Sequence, residues 1–220
     1  MKRAFLPAGL FLLAAALLGG CSSVYYDTME AMGVPKRDIL VDRVEEARDT
    51  QSEAREEFSD ALEQFRAVVN VPPSELSRTY DKLKATQEDL VDRAEAVSGR
   101  IDKVESVATA LFREWENELD QYTRDDLRRL SANTLEDTRA EYKKMIRAMR
   151  RAESKMEPVT NALNDQVLFL KHNLNAQAIA SLQGELDAVE DDIAALIEEM
   201  NAAIAEADAF IKGMSEGPES

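Results

Sequence analysis

Apolar residues recur at alternating steps of three and four along most of this chain. This heptad spacing places them on one stripe of a helix, and it runs without a fault over residues 40–68, 76–115 and 179–210. No alternation typical of β-strands persists anywhere. The pattern therefore predicts an all-α protein.

A fourth pattern, near residues 124–172, is less regular. Met145, Met149 and Met156 keep the spacing, and an extra step of four precedes Leu163. Pro158 lies beside this irregularity. Because proline removes a backbone donor and clashes with the preceding turn, we predict a kink or a break at this point.

Prolines and polar residues mark the helix boundaries. Four helices are predicted, over about 36–70, 74–121, 124–172 and 176–212, with Ser74, Thr123 and Asn175 as N-caps. Short connections make neighbouring helices antiparallel. We therefore predict an elongated antiparallel helical bundle, or coiled coil, of about four long helices over residues 36–212. A flexible tail is predicted for residues 213–220.

The distribution of charge indicates which helices meet. The chain has 27 basic and 43 acidic residues, a net charge of −16 that disfavours general binding to nucleic acids. Residues 124–155 carry ten basic and six acidic side chains, whereas residues 179–211 carry nine acidic side chains and no lysine or arginine. The third and fourth predicted helices therefore have complementary charges, and we expect them to be neighbours.

The basic run "KKMIRAMRR" at residues 143–151 allows two interpretations. Lys143, Arg147, Arg150 and Arg151 lie along one side of a helix and would suit an anion or partner contact, either lipid head groups or a phosphate-bearing protein. Alternatively, these side chains pair with the acidic last helix. The second interpretation is the more economical one.

The first twenty residues resemble a secretory signal. Lys2 and Arg3 precede the apolar stretch "AFLPAGLFLLAAALLGG", which falls short of the roughly 20 residues of a membrane span. "LGGC" places the only cysteine, Cys21, at its end and resembles the lipobox of bacterial lipoproteins. The resemblance implies cleavage before Cys21 and acylation of that residue. The alternative is an ordinary signal peptide with an incidental cysteine.

The residue after the cysteine bears on location. Ser22, rather than aspartate, implies the outer membrane facing the periplasm by the usual sorting rule of such lipoproteins. We therefore predict a lipoprotein signal peptide over residues 1–20 and a lipidated tether over 21–35. Within the tether, Tyr25, Tyr26, Met29 and Met32 suit either the membrane interface or the end of the bundle.

The sequence offers no recognisable machinery for catalysis. It contains no phosphate-binding loop, no nucleophile elbow, no calcium loop and no Glu-x-x-His pair for a metal-binding bundle. One cysteine also excludes an internal disulfide and a cysteine zinc site. We therefore expect no enzymatic activity, no catalytic residue, no metal and no cofactor.

Two stretches carry a resemblance to a known family. They are "YYDTMEAMGVPKRDILVDRVEEARDTQSEAREEFSDALEQFRAVVN" and "MEPVTNALNDQVLFLKHNLNAQAIASLQGEL". By these the chain resembles the Gram-negative family catalogued as domain of unknown function 2959. That resemblance implies a periplasm-facing lipoprotein and brings no established activity.

Together these features predict a structural or adaptor protein of the cell envelope. The membrane, through the lipid anchor, and a second envelope protein are its expected partners. The alternative is a bundle that binds a small hydrophobic ligand such as a lipid, with Met145, Met149 and Met156 as an adaptable lining.

Overall fold

The computed structural model describes residues 21–70, 72, 74–173 and 176–216. These residues form five α-helices and no strand, so the predicted all-α bundle with four long helices is confirmed. In chain order the helices are α1 (Cys21–Ala31), α2 (Lys36–Asn70), α3 (Leu76–Leu119), α4 (Asp125–His172) and α5 (Ala176–Glu216).

The four long helices form an antiparallel ring in the order α2, α3, α4, α5. Each packs against the helix before it and the helix after it, and α5 closes the ring against α2. Ion pairs between distant residues mark the alignment. Arg93 of α3 bonds Glu57 of α2 at 2.6 Å, and Arg66 of α2 bonds Glu190 of α5 at 2.7 Å.

The predicted contact between the last two helices is confirmed. Lys144 of α4 lies 3.1 Å from Glu206 of α5, and Arg151 lies 3.2 Å from Glu199. Exposed ion pairs contribute only about 0.2–1 kcal/mol each. They therefore favour this alignment of helices more than they stabilise the fold.

The heptad stripes form the core. Every position of the α2 stripe is buried, and so are most positions of the α3 and α5 stripes. Burying apolar surface at about 25 cal/mol per Å² is the main source of stability for such an arrangement. The α2 positions are Leu40, Val44, Ala47, Gln51, Ala54, Phe58, Ala61, Phe65 and Val68.

Helix α4 continues through the predicted irregularity. Pro158 lies inside this helix, which ends only at His172, so the break is absent. Met156, Val159 and Leu163 are all buried around the proline. Packing against two neighbouring helices therefore holds the stripe together where the local pattern falters.

The predicted helix caps differ from those in the structure. Glu75 and Arg124 occupy the N-cap positions of α3 and α4, and neither makes a side-chain cap hydrogen bond. The prediction of Ser74 and Thr123 as N-caps is therefore wrong. Long helices obtain most of their stability from tertiary packing, and a cap worth about 1 kcal/mol does not fix their ends. Asn175 lies outside the described residues.

The end of α5 extends further than predicted. The helix runs to Glu216, so residues 213–216 of the predicted tail are helical. Residues 217–220 lie outside the described residues.

Residues 21–35, predicted to be a tether, are largely helical. Helix α1 ends in a Schellman motif, in which the Gly33 amide bonds the Glu30 carbonyl at 2.8 Å and the Val34 amide bonds the Met29 carbonyl at 3.0 Å. Gly33 has φ +88°, a conformation that favours glycine. The motif reverses the chain, so α1 folds back along the bundle.

Candidate functional site

Helix α1 is fastened to the side of the bundle by one buried tyrosine. Tyr26 is only 6% exposed, and its hydroxyl donates to Ser106 Oγ of α3 at 3.2 Å. Met29, one turn later, packs against the core. Of the four residues assigned to the membrane interface or the bundle end, these two pack on the bundle.

Ion pairs of Lys36 hold the end of α1 against the bundle. The ammonium of Lys36, a side chain only 4% exposed, lies 2.5 Å from Glu30 Oε2 of α1 and 3.0 Å from Glu114 Oε1 of α3. Partial burial, together with the neighbouring Glu30 carboxylate, raises the pKa of Glu114 despite the lysine. One lysine therefore joins α1, α2 and α3, and its single charge offsets part of the charge of two carboxylates.

The other two residues of that group face outwards. Tyr25 is 46% exposed and Met32 is 67% exposed. The Tyr25 ring meets the Tyr26 ring edge to face, with centroids 5.3 Å apart, so the packed tyrosine orients the exposed one. Cys21 begins this helix, but its side chain and the predicted signal peptide lie outside the described residues.

Two of the four candidate basic residues are engaged in ion pairs with the bundle itself. Arg150 bonds Glu105 at 2.5 Å and Asp102 at 2.6 Å, both on α3, and these bonds, led by that to Glu105, raise its pKa. Arg151 pairs with Glu199 of α5. Both guanidinium groups therefore join helices.

The other two basic residues line an open cleft between α3 and α4. Lys143 and Arg147 share this cleft with Glu116 and Leu119 of α3. Within the described part of the chain neither cation forms an ion pair, whereas the nearby Arg139 bonds Glu116 at 2.5 Å. The cleft therefore presents two cations that form no ion pair among the described residues, beside Arg139 and the carboxylates of Glu116 and Glu136.

A family profile described as Protein of unknown function (DUF2959) matches residues 25–214. The chain belongs to this family. No curated protein and no solved structure matches it.

For this member of DUF2959, the matched region takes in most of α1 and all of the long helices except the last two residues of α5. The resemblance seen in two stretches of the sequence is thereby confirmed for nearly the entire bundle. The match starts four residues after Cys21. Membership of the family therefore neither supports nor opposes the prediction that Cys21 is acylated.

Over residues 21–70, 72, 74–173 and 176–216, no group of three or more histidine, cysteine, aspartate or glutamate side chains is arranged to hold a metal ion. None of the helices in those same ranges is long and apolar enough to cross a bilayer.

Sequence reasoning missed helix α1 as a packed element. Two signals were present, since Gly33 stands at the position that ends a Schellman motif and Pro35 follows it. What the sequence did not reveal was the partner of Tyr26, because Ser106 is 80 residues away.

Proposed function

We propose that this protein is an outer-membrane lipoprotein whose periplasmic bundle acts as a structural or adaptor element of the cell envelope. The observation that carries the proposal is the position of the only cysteine. Cys21 follows a basic start, an apolar stretch and "LGG", and it is also the first residue of α1. Lipid attached there would join the folded part directly.

Acylation at Cys21 would provide a stable anchor. One acyl chain holds a protein to a bilayer only marginally, and two or more hold it firmly. Cleavage before Cys21 would also remove Lys2 and Arg3, which leaves 25 basic and 43 acidic residues, a net charge of −18.

An adaptor role is supported by how the helix faces are used. The apolar stripes of the long helices are buried against one another, and the outer faces are densely charged. Within the described residues, the long helices therefore keep these stripes for one another and would meet a partner protein through their charged faces. Lys143 and Arg147 are the side chains best placed for a negatively charged partner.

The ligand-binding alternative receives less support. Met145, Met149 and Met156 are no more than 1% exposed and are packed into the common core with the stripes of the other helices. A hydrophobic ligand would have to displace this packing. We therefore propose the adaptor role and leave ligand binding as the second hypothesis.

The anchor is tested by Cys21→Ser. This variant should lose incorporation of labelled palmitate and should leave the membrane fraction, since the thioether cannot form. Ser23→Ala is the matched control and should keep both properties. Continued labelling of Cys21→Ser would refute the anchor.

The location is tested separately by Ser22→Asp. This variant should remain acylated but move from the outer to the inner membrane, as measured by sucrose-gradient fractionation. Acylated protein that stays in the outer-membrane fraction would contradict the sorting assignment and leave the anchor intact.

The adaptor role is tested by crosslinking in living cells. A photoreactive residue at position 143 or 147 should give a defined adduct with an envelope protein, because these side chains line an open cleft. Position 82, an exposed lysine of α3, provides the control. Adducts of equal yield at position 82, or none at either cleft position, would contradict a partner at this cleft.

A further inference from the structure

Helix α1 has two faces of different character. Tyr26 and Met29 pack against the bundle, whereas Tyr25 and Met32 are exposed on a second face, where Tyr25 also interacts with Arg43 of α2. Positions 21, 25, 28 and 32 follow one another at steps of four, three and four. Residues at these steps lie on one stripe of a helix, here called the outer stripe of α1. By register, the residue proposed to carry lipid belongs to the same stripe as the two exposed side chains.

The outer stripe runs along the bundle. Tyr26 meets Ser106, and Glu30, further along α1, is bridged by Lys36 to Glu114, further along α3. Helix α1 therefore lies beside α3 and points the same way. At 1.5 Å per residue the stripe is about 16 Å long and parallel to the long axis of the bundle.

We propose that the outer stripe of α1 lies flat on the bilayer that receives the acyl chains of Cys21, so that the bundle lies along the membrane surface. This inference rests on the proposed acylation. A lipid at position 21 brings the bilayer to one end of the stripe, and the packed inner face keeps α1 from standing away from the bundle. Tyrosine is suited to the head-group region because its ring is apolar and its hydroxyl is polar.

The charge on this side of the bundle limits how closely the bundle can approach an anionic bilayer. Beyond α1, the groove between α2 and α3 opens into an acidic cleft, which anionic head groups would repel. Helix α1 is about 10 Å across, and charges in water are screened over about 8 Å at physiological salt. Helix α1 therefore separates this cleft from the head groups by about the distance over which salt screens charges, which weakens the repulsion. Arg93 also lines the cleft, and the acidic residues around it are Glu57, Asp60, Glu63, Asp89 and Asp92.

Spin labels on the acylated full-length protein test the orientation. Cys21 is the only cysteine and is consumed by the thioether, so a single introduced cysteine takes a nitroxide selectively. The variants are Tyr25→Cys, Met32→Cys and, as a matched exposed aromatic position near the far end of α4, Phe169→Cys. The protein is reconstituted in vesicles of phosphatidylethanolamine with a minority of phosphatidylglycerol. Collisions with oxygen and with a water-soluble nickel complex then report the depth of each label.

Labels at positions 25 and 32 should collide with nickel several-fold less often than the label at 169 and more often with oxygen. Nickel access equal to that at position 169 would overturn the inference, and so would protection at position 25 alone or at all three positions. Dipolar broadening between labels on two molecules would place a second copy of the chain on the stripe instead. Mass spectrometry of Cys21 and flotation of the vesicles, performed first, reveal a failure of the anchor itself.

Discussion

Gln51 is the polar residue in the otherwise apolar stripe of α2. It is fully buried, its Nε2 lies 3.5 Å from the Met149 carbonyl, and its Oε1 has no hydrogen-bond partner in the described structure. A buried polar group left unpaired costs about 1–3 kcal/mol. A polar residue in a heptad stripe can in return restrict the alignment of helices. Gln51 therefore lowers stability at a point where it favours one register.

Replacing this residue should stabilise the bundle. Gln51→Met keeps the volume and removes the unpaired acceptor, so the free energy of unfolding should rise by about 1–2 kcal/mol. The melting temperature of residues 22–220, followed by circular dichroism, should rise by about 2–8 °C. Gln87→Met on α3 is the control and should change the melting temperature less. The Gln87 side chain is 8% exposed, and among the described residues it has no buried atom without a hydrogen-bond partner. A lowered melting temperature for Gln51→Met alone would show that the amide is needed in the core.

At the scale of helices, the sequence predicted the long elements well because α2, α3 and α5 each bury a regular stripe and α4 buries an interrupted one. It predicted their partners less completely, since the rotation of a helix decides which neighbour a side chain reaches. Arg151 pairs with α5 as expected, whereas Arg150, the next residue, pairs with α3. The caps were missed for a related reason, because long packed helices do not depend on them. For the candidate site, Cys21 came from a local motif, while the docking of α1 depends on contacts far away in sequence.

Pro158 interrupts the backbone hydrogen bonding of α4. It is exposed on α4, within a helix that continues past it, and it leaves one backbone carbonyl without its usual donor. Pro158→Ala should raise the free energy of unfolding by about 2 kcal/mol, because proline costs about 3 kcal/mol in a helix interior and part of this is offset by a freer unfolded chain. Thermal denaturation measures the change.

Pro35→Ala is the matched control. This proline precedes α2, where it needs no amide donor, and its carbonyl accepts from Asp38 at 3.0 Å. Its replacement should leave the melting temperature unchanged or lower it. A fall in melting temperature for Pro158→Ala would mean that the proline ring contributes packing that outweighs the missing hydrogen bond.

The whole molecule is longer than a compact chain of this size. Lys36 at the start of α2 pairs with Glu114, so the last turn of α3 and the first turns of α4 project beyond α2. The indole of Trp115 donates to Ser131 Oγ at 2.8 Å and closes this projecting hairpin, in which residues 121–130 are all exposed. Helix α4 alone has 48 residues and is about 72 Å long at 1.5 Å per residue.

These dimensions predict the radius of gyration. A rod about 72 Å long and about 24 Å wide has a radius of gyration of about 22 Å, against about 17 Å for a compact chain of this length. Small-angle X-ray scattering of residues 22–220 should therefore give about 22 Å at low concentration, with a distance distribution skewed to long distances. A value near 17 Å would mean that the helices fold back on themselves. A value well above 30 Å would mean end-to-end association, and the buried stripes would then no longer account for the whole assembly.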